Sequence, residues 1–215
     1  MHKLMRTAEP PALAQARADG LSNWNDFNNQ DKKTVRDELL LMQDFRCAYC
    51  ERQIHALRTE GKNKWDGHIE HFRRKDPHFL PELTFVWDNL FYSCRTGATC
   101  GRFKDGFITK KEQYDWLIDP CKENPEDFLI FDDRGRISPR TDLTESDKKR
   151  AEFTIKTFNL NEPKLMLARK RLQKKYDWLK QCSQQEINAY LNSSSVKKEP
   201  FITAIYQYFG KRVVS

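Results

Sequence analysis

Four of the six cysteines lie in one stretch of the chain and are spaced as metal ligands. Cys47 and Cys50 form a C-x2-C pair, and Cys94 and Cys100 form a second pair with five residues between them. Two thiolates at the first spacing can reach one ion from a tight turn, and the second pair completes a tetrahedron. Because protein ligands fill all four positions, the pattern predicts a structural Zn²⁺ ion rather than a catalytic one.

A redox-active C-x-x-C pair of the thioredoxin-like type is the main alternative for Cys47 and Cys50. No βαβ pattern surrounds this pair, and a second cysteine pair follows it, so structural zinc is favoured. In a reducing cytosol, cysteines indicate metal ligands or free thiols rather than disulfides. Cys121 and Cys182 stand apart from the other four and are predicted to be buried structural thiols.

Side chains that could act as a general base or bind a metal ion form a second group, which lies between the two cysteine pairs. Glu70 and His71 are adjacent, and Asn89 follows in the segment Val86-Trp87-Asp88-Asn89-Leu90. A histidine with an ordinary pKa of about 6.5 can deprotonate water near neutral pH. A carboxylate can hold a hard divalent cation, and an asparagine can orient an imidazole. These residue types suit the hydrolysis of a phosphodiester bond.

His68 lies two residues before Glu70, on the same face of the segment if the backbone is extended. It could therefore be a ligand of the same cation. It could equally cap the zinc loop or pack against Trp65, and we favour such a supporting role. His55 and His78 are predicted to be structural or surface histidines.

The balance of charges favours a polyanionic partner. The chain contains 38 Lys and Arg against 31 Asp and Glu, which gives a net charge of +7 and a pI near 9.0. Each phosphate contact releases condensed counterions, so basic proteins bind nucleic acids readily. Arg73, Arg74 and Lys75 directly follow the histidine-rich segment and could line a phosphate track. A basic but merely solvated surface is the alternative.

The elements that must position these groups suggest an α+β fold with a small zinc-stapled core. We expect three regions: an N-terminal helical segment over residues 1–45, the core over 46–112, and a small hairpin with mainly helical additions over 113–215. The core is expected to contain strands at 67–72 and 84–87 and a short helix opening near Gly101. A helix over 29–43, with Asn29 as its N-cap, leads into the first cysteine pair.

The hydropathy of the chain argues against a membrane protein. Mean hydropathy is -0.84, and no apolar run approaches the ~20 residues needed to cross a bilayer. Aromatic residues reach 12%, which distinguishes the chain from a disordered polar sequence. The first residues lack the apolar stretch of a secretory signal, so a cytoplasmic location is expected.

The order of these motifs resembles the ββα-metal, treble-clef-like fold of HNH nucleases. More narrowly, "QDFRCAYCER", "HIEHFRRK", "VWDNLFYSC" and "CGRFKDG" resemble the HNH component of Septu and retron anti-phage systems, the PtuB-type family. The segments "LIDPCKENPEDFLIFDDRGRI" and "RAEFTIKTFNLNEP" extend the likeness over most of the chain. The resemblance implies a metal-dependent endonuclease in which His71 is the general base, Glu70 binds catalytic Mg²⁺ or Mn²⁺, and Asn89 orients His71.

Two positions depart from the pattern that the resemblance implies. HNH sites often have Asp or His where this chain has Glu70. The common Asn after the last cysteine is replaced by Gly101, which has no side chain to bind metal. Asp105, one helical turn further on, would present a carboxylate on the same face and is our candidate replacement. Lys104 matches a lysine often found at the end of this motif and could contact phosphate or be solvated.

The resemblance also implies partners: an ABC/SMC-like ATPase of the PtuA type, and in retrons a reverse transcriptase with its RNA–DNA hybrid. The nuclease would then be restrained until this complex senses infection. DNA is the favoured substrate and RNA is possible. The alternative function is a zinc-stabilised nucleic-acid- or protein-binding module that has lost catalysis, which Gly101 motivates.

Overall fold

Helices and short hairpins make up the part of the chain that the computed structural model describes, namely residues 1–59, 62–193, 196 and 198–210. The α-helices are α1 (Pro11–Ala18), α2 (Asn29–Met42), α3 (Cys100–Phe107), α4 (Glu145–Thr157), α5 (Pro163–Lys175), α6 (Gln184–Leu191) and α7 (Ile202–Phe209). Antiparallel hairpins pair β1 (Ala56–Thr59) with β2 (Lys62–Trp65), β3 (Gly67–His71) with β4 (Leu90–Cys94), and β5 (Leu129–Phe131) with β6 (Ile137–Pro139). None of the described helices is both long and apolar enough to cross a bilayer.

The hairpin of β3 and β4, followed by α3, forms the part of the fold that carries the predicted site. Gly67 pairs with Cys94, and His71 pairs with Leu90, so the register is fixed along all five residues. Every residue of β4 is buried, as expected for a strand covered on both faces. The strand predicted at 67–72 and the short helix predicted near Gly101 are both confirmed.

Helix α2 ends a few residues before the first cysteine pair. Asn28, not Asn29, caps its N-terminus by accepting a hydrogen bond from the backbone N–H of Asp31, so the predicted cap was wrong by one residue. At the other end, the buried Gln43 amide donates to the carbonyl of Tyr92 and accepts from its N–H, at 2.8 Å in both cases. A single side chain therefore ties the end of α2 to β4.

An aromatic layer lies under the hairpin and supports it. Tyr49, in the turn of the first cysteine pair, stacks on Phe158 with ring centroids 4.1 Å apart. Phe72 and Phe91 complete the layer and are themselves 5.8 Å apart. All four rings are buried, and burial of each stabilises the fold by on the order of 1.5–3 kcal/mol.

The last described helix, α7, is attached to the cysteine turn through Glu51. The Glu51 carboxylate accepts the N–H of Thr203, and the Glu51 carbonyl accepts the N–H of Phe201, both at 3.0 Å. The main hydrophobic core contains residues from all three regions expected from the sequence, while a smaller core joins α6 and α7. The three-region division therefore stays a prediction.

The segment from Thr84 to Trp87 is not a strand, which corrects the sequence-based expectation. Two short 3₁₀ turns, Pro81–Leu83 and Trp87–Asn89, enclose it, and its backbone bonds are local. Trp87 is buried, and its indole N–H donates to the carbonyl of Thr7 at 2.9 Å. The aromatic and β-branched residues serve burial here rather than pairing with another strand.

Candidate active site and metal centre

The four cysteines predicted to bind zinc converge on one buried point. Cys47 and Cys50 lie in the turn after α2, Cys94 ends β4, and Cys100 begins α3. Their sulfur atoms all lie within 4.8 Å of one another, and no other group of three or more potential ligands in the described residues is this compact.

This sulfur cluster fits a zinc ion in geometry and in chemistry. Tetrahedral Zn–S bonds of about 2.3 Å would place the sulfur atoms about 3.8 Å apart, and Cys50 Sγ lies 3.9 Å from Cys94 Sγ. Hydroxyl groups approach the sulfurs from outside, with Thr96 Oγ1 3.5 Å from Cys94 Sγ and Ser93 Oγ 3.8 Å from Cys47 Sγ. Such hydrogen bonds stabilise metal-bound thiolates.

Glu70 lies at the centre of the predicted catalytic cluster, with its carboxylate buried between β3 and α3. Its Oε1 is 2.7 Å from Lys104 Nζ, and its Oε2 is 3.1 Å from His68 Nε2. Burial alone would raise the pKa of this carboxyl, but the charge of Lys104 and the hydrogen bond from His68 lower it to about 2. Glu70 is therefore ionised at neutral pH.

His68 and Glu70 together offer a partial cation site. Their 3.1 Å separation is that of a hydrogen bond, so a cation would have to replace the proton that His68 Nε2 shares with Glu70. Mg²⁺ commonly keeps several waters and takes only one or two carboxylates from the protein. Cation binding by Glu70 and His68 therefore stays a prediction.

Asp105, the third predicted ligand, does not join this pair directly. The Lys104 ammonium lies between the two carboxylates, 2.7 Å from Glu70 and 3.1 Å from Asp105 Oδ1. Burial and the charge of Glu70 raise the pKa of the Asp105 carboxyl. Coordination by Asp105 stays a prediction, and it requires the ammonium to move aside.

Lys104 itself is fully buried, which bears on its predicted contact with nucleic acid. Its ammonium donates to the carbonyls of His71 and Phe72, at 2.6 and 2.9 Å, in addition to its contact with Glu70. A phosphate would have to replace these partners to reach it. The phosphate contact therefore stays a prediction, while the observed role of Lys104 is to hold the end of β3 against α3.

Gly101 provides the space that the Glu70 carboxylate occupies. A Cβ atom at this position would lie 2.3 Å from Glu70 Cδ and 2.3 Å from Oε2, far inside van der Waals contact. The asparagine common at this position could therefore not stand beside a glutamate at position 70 in this conformation. Gly101 is part of the site through its small size.

We expect Gly101→Ala to lower the free energy of unfolding by about 1–3 kcal/mol, because a buried and paired carboxylate must shift. The matched control is Gly106→Ala in the same helix, where an added Cβ meets nothing within 4 Å. That variant should be as stable as the wild type or slightly more so. Urea denaturation of both proteins measures the difference, and equal stabilities would contradict the steric argument.

His71 is oriented by the backbone carbonyl of Thr84, which lies 3.0 Å from its Nε2. A carbonyl can only accept, so Nε2 carries the proton and Nδ1 keeps the lone pair that a general base needs. Trp24 contacts the imidazole edge-on, with ring centroids 4.9 Å apart. Burial, helped by the charge of Lys75, lowers the pKa of His71 to about 4, so the ring is neutral at pH 7.

The Asn89 side chain forms hydrogen bonds with backbone groups on either side of the His71 ring. Its Oδ1 accepts the N–H of Arg73 at 2.7 Å, and its Nδ2 donates to the carbonyls of Arg73 and Leu83, at 2.9 and 3.1 Å. These bonds fix the chain on both sides of the imidazole. The orientation of His71 by Asn89 thus stays a prediction. The bonds described here would let Asn89 act by fixing the backbone near His71, and not by a hydrogen bond to the ring.

A cleft of about 380 Å³ opens onto His68, Glu70 and His71. Its remaining lining is mainly charged: Arg74, Lys75, Asp76, Arg102 and Asp105. A larger cavity of about 730 Å³, beside Phe45 and α7, shares none of these residues.

The predicted basic run after β3 is only partly directed to this cleft. Arg73 pairs with Asp115 at 3.0 Å, whereas Arg74, which pairs with Asp76 at 2.8 Å, and Lys75 both line the cleft.

Three residues at the site were not predicted from the sequence. Thr84 and Trp24 are distant in sequence from His71, and no local signal links them to it. Arg102 had a usable signal, because it precedes Asp105 by three residues on a predicted helix and must share its face. It is exposed and lines the cleft.

Two known proteins are similar to this chain over more than two thirds of its length. No protein-family model matches the chain. A protein of Vibrio cholerae serotype O1 biovar El Tor, named "Retron Vc95 putative HNH endonuclease", is 30% identical over 155 residues, which cover 68% of each chain. The Septu protein PtuB of Bacillus mycoides strain KBAB4 is 26% identical over 214 residues, covering 81% of this chain and 68% of that protein. The chain therefore belongs to the family of HNH endonucleases of retron and Septu anti-phage defence systems.

Proposed function

We propose that this chain is a metal-dependent endonuclease that hydrolyses phosphodiester bonds of nucleic acid, with DNA as the favoured substrate. The observation that carries the proposal is the position of His71: its ring is neutral, its Nε2 is held by the Thr84 carbonyl, and it lines a cleft together with Glu70. The β3–β4 hairpin and α3 around the cysteine cluster would then correspond to a ββα-metal core within residues 46–112.

In this proposal His71 Nδ1 accepts the proton of the attacking water, because Nε2 is already committed to a carbonyl. Glu70, with His68 if its Nε2 gives up its proton, would hold Mg²⁺ or Mn²⁺, which would stabilise the negative charge on the phosphate and on the leaving oxygen. Asn89 keeps the backbone on either side of His71 in place. Zn²⁺ at the four cysteines holds β4 and α3 together and takes no part in the chemistry.

The main alternative, a binding module without catalysis, was motivated by Gly101. The Glu70 carboxylate fills the space beside this glycine, so its presence no longer suggests that a ligand has been lost. A catalytically active chain is therefore the better-supported proposal.

Control by a partner ATPase of the PtuA type is the further part of this proposal, with a reverse transcriptase and its RNA–DNA hybrid in a retron setting. Support comes from the two relatives, whose names place them in retron and Septu systems. Purification of the chain with the products of its neighbouring genes would test whether such a complex forms.

The test of the enzymatic proposal is cleavage of plasmid DNA by the zinc-loaded chain, alone and with its co-purified partners, with and without Mg²⁺ or Mn²⁺. We expect cleavage only with the divalent ion, and a reduction of about 10²–10⁴-fold in His71→Ala. The variant should keep its zinc and unfold cooperatively, although at a lower temperature because His71 is buried and packs on Trp24, and this separates loss of the base from loss of fold. Equal cleavage by both proteins would contradict the role of His71.

A further inference from the structure

A second groove, of about 450 Å³, lies next to the cleft and carries a high density of positive charge. Its walls come from α2, the end of β2, and the β3–β4 hairpin. The cations and large rings that matter here are Lys32, Lys33, Arg36, Arg95, Trp24 and Trp65. No carboxylate is among the described residues that line it.

The charges of this groove are only partly neutralised by neighbours. Arg36 pairs with Asp37 at 2.7 Å. Arg95 donates through Nε to the carbonyl of Gly67 at 2.9 Å, which positions its guanidinium without cancelling its charge. Lys33 is exposed, and Lys32 donates to a backbone carbonyl at 3.4 Å. Asp66 is a further carboxylate near Tyr92, but the described residues that line the groove include four cations and no carboxylate.

The groove adjoins the active-site cleft. His68 and Ile69 line both, which makes β3 the shared wall. Trp24 lines the groove and also contacts the ring of His71. A polymer lying in the groove would therefore lie next to the strand that carries the proposed general base.

These cations extend the basic surface beyond the run at 73–75, of which Arg74 and Lys75 line the cleft itself. Arg73 and Arg74 are paired with Asp115 and Asp76, whereas Lys33 is exposed to solvent beside the groove. Aromatic rings between the cations add surfaces on which bases can stack. Charge and ring placement together match a nucleic-acid strand more closely than an acidic protein surface.

We infer that the α2 groove binds the nucleic-acid backbone on one side of the scissile phosphate, through Lys32, Lys33, Arg36 and Arg95. The inference rests on the proposed nuclease function and extends the substrate-binding surface beyond the cleft. None of these four residues was predicted from the sequence to bind nucleic acid.

The experiment measures binding of a fluorescein-labelled DNA strand and its duplex, by anisotropy over a range of salt concentrations. The full chain carries His71→Ala so that the probe is not cut. We expect Lys32→Glu/Lys33→Glu to weaken binding about tenfold or more and to reduce the salt dependence, by about 0.7–0.9 in log–log slope for each phosphate that is no longer neutralised. Lys33→Glu alone should give a smaller change in the same direction.

The matched control is Arg171→Glu/Lys174→Glu, the same change of charge on exposed positions of α5. This variant should bind DNA as the parent does. If DNA binding is weakened equally in both double variants, or in neither, the proposed DNA-binding role of the groove is wrong. Unchanged DNA binding combined with loss of the co-purified ATPase would also contradict that role, and would assign the groove to a protein partner.

The two proposals fail separately. Absence of cleavage in the otherwise wild-type chain would count against the nuclease, even if the groove variants lose DNA binding. If cleavage depends on His71 but DNA affinity is unchanged by the α2 lysine substitutions, the nuclease proposal stands and the proposed DNA-binding role of the groove is wrong.

Discussion

Cys47→Ser is expected to leave the chain without a stable fold. The four thiols are buried, so loss of one ligand leaves a cavity and three thiols that no longer enclose a metal ion. Structural zinc contributes on the order of 10–16 kcal/mol of apparent binding free energy in zinc-finger peptides. That exceeds or matches the ~5–15 kcal/mol by which whole domains are stable.

Zinc content after purification, circular dichroism and thermal unfolding check this expectation. Cys121→Ser and Cys182→Ser are the matched controls, because both thiols are half-buried and lie outside the cluster. Their variants should retain zinc and a cooperative transition. A folded Cys47→Ser protein that still binds one equivalent of zinc would contradict a four-sulfur site.

Lys104→Met is expected to lower the free energy of unfolding by about 3–5 kcal/mol, since it leaves the buried Glu70 carboxylate without its cation. Burial alone would lower the pKa of the Lys104 ammonium, yet the nearby carboxylates of Glu70 and Asp105 raise it. The variant also loses the bonds to the carbonyls of His71 and Phe72. We therefore expect cleavage to fall to background.

Urea denaturation of the zinc-loaded proteins gives the stability change, and the Glu70→Gln/Lys104→Met double variant is the informative comparison. Removing both charges should restore part of the lost stability, because no isolated buried charge remains. Cleavage should stay at background in the double variant, since Glu70 is also the proposed metal ligand. A double variant that is no more stable than Lys104→Met would mean that packing, not charge, accounts for the loss.

The four-cysteine cluster and the shared face of His68 and Glu70 on β3 were predictable, because each follows from the spacing of residues that are close in the sequence. Thiol spacing alone identified the four cysteines, and the period of two along an extended chain placed His68 and Glu70 on one side. The predicted helices at α2, α3 and α4 follow in the same way from apolar spacing and capping residues. Such rules need only neighbouring residues in the sequence.

The rest of the site depends on contacts between distant segments, and these leave no local signal. The Thr84 carbonyl orients His71, although Thr84 lies in a segment whose composition wrongly indicated a strand. Trp24 reaches the same imidazole from a turn before α2. Burial of Lys104 likewise depends on how α3 packs on β3, because a lysine on a short helix is normally solvated.

The close approach of Gly101 to Glu70 means that the side-chain sizes allowed at the two positions depend on each other. A long acidic side chain extends from the strand, and the helix yields the room it needs. An asparagine at position 101 would therefore require a shorter side chain at position 70 as well, because the Glu70 carboxylate occupies the space of the added Cβ atom.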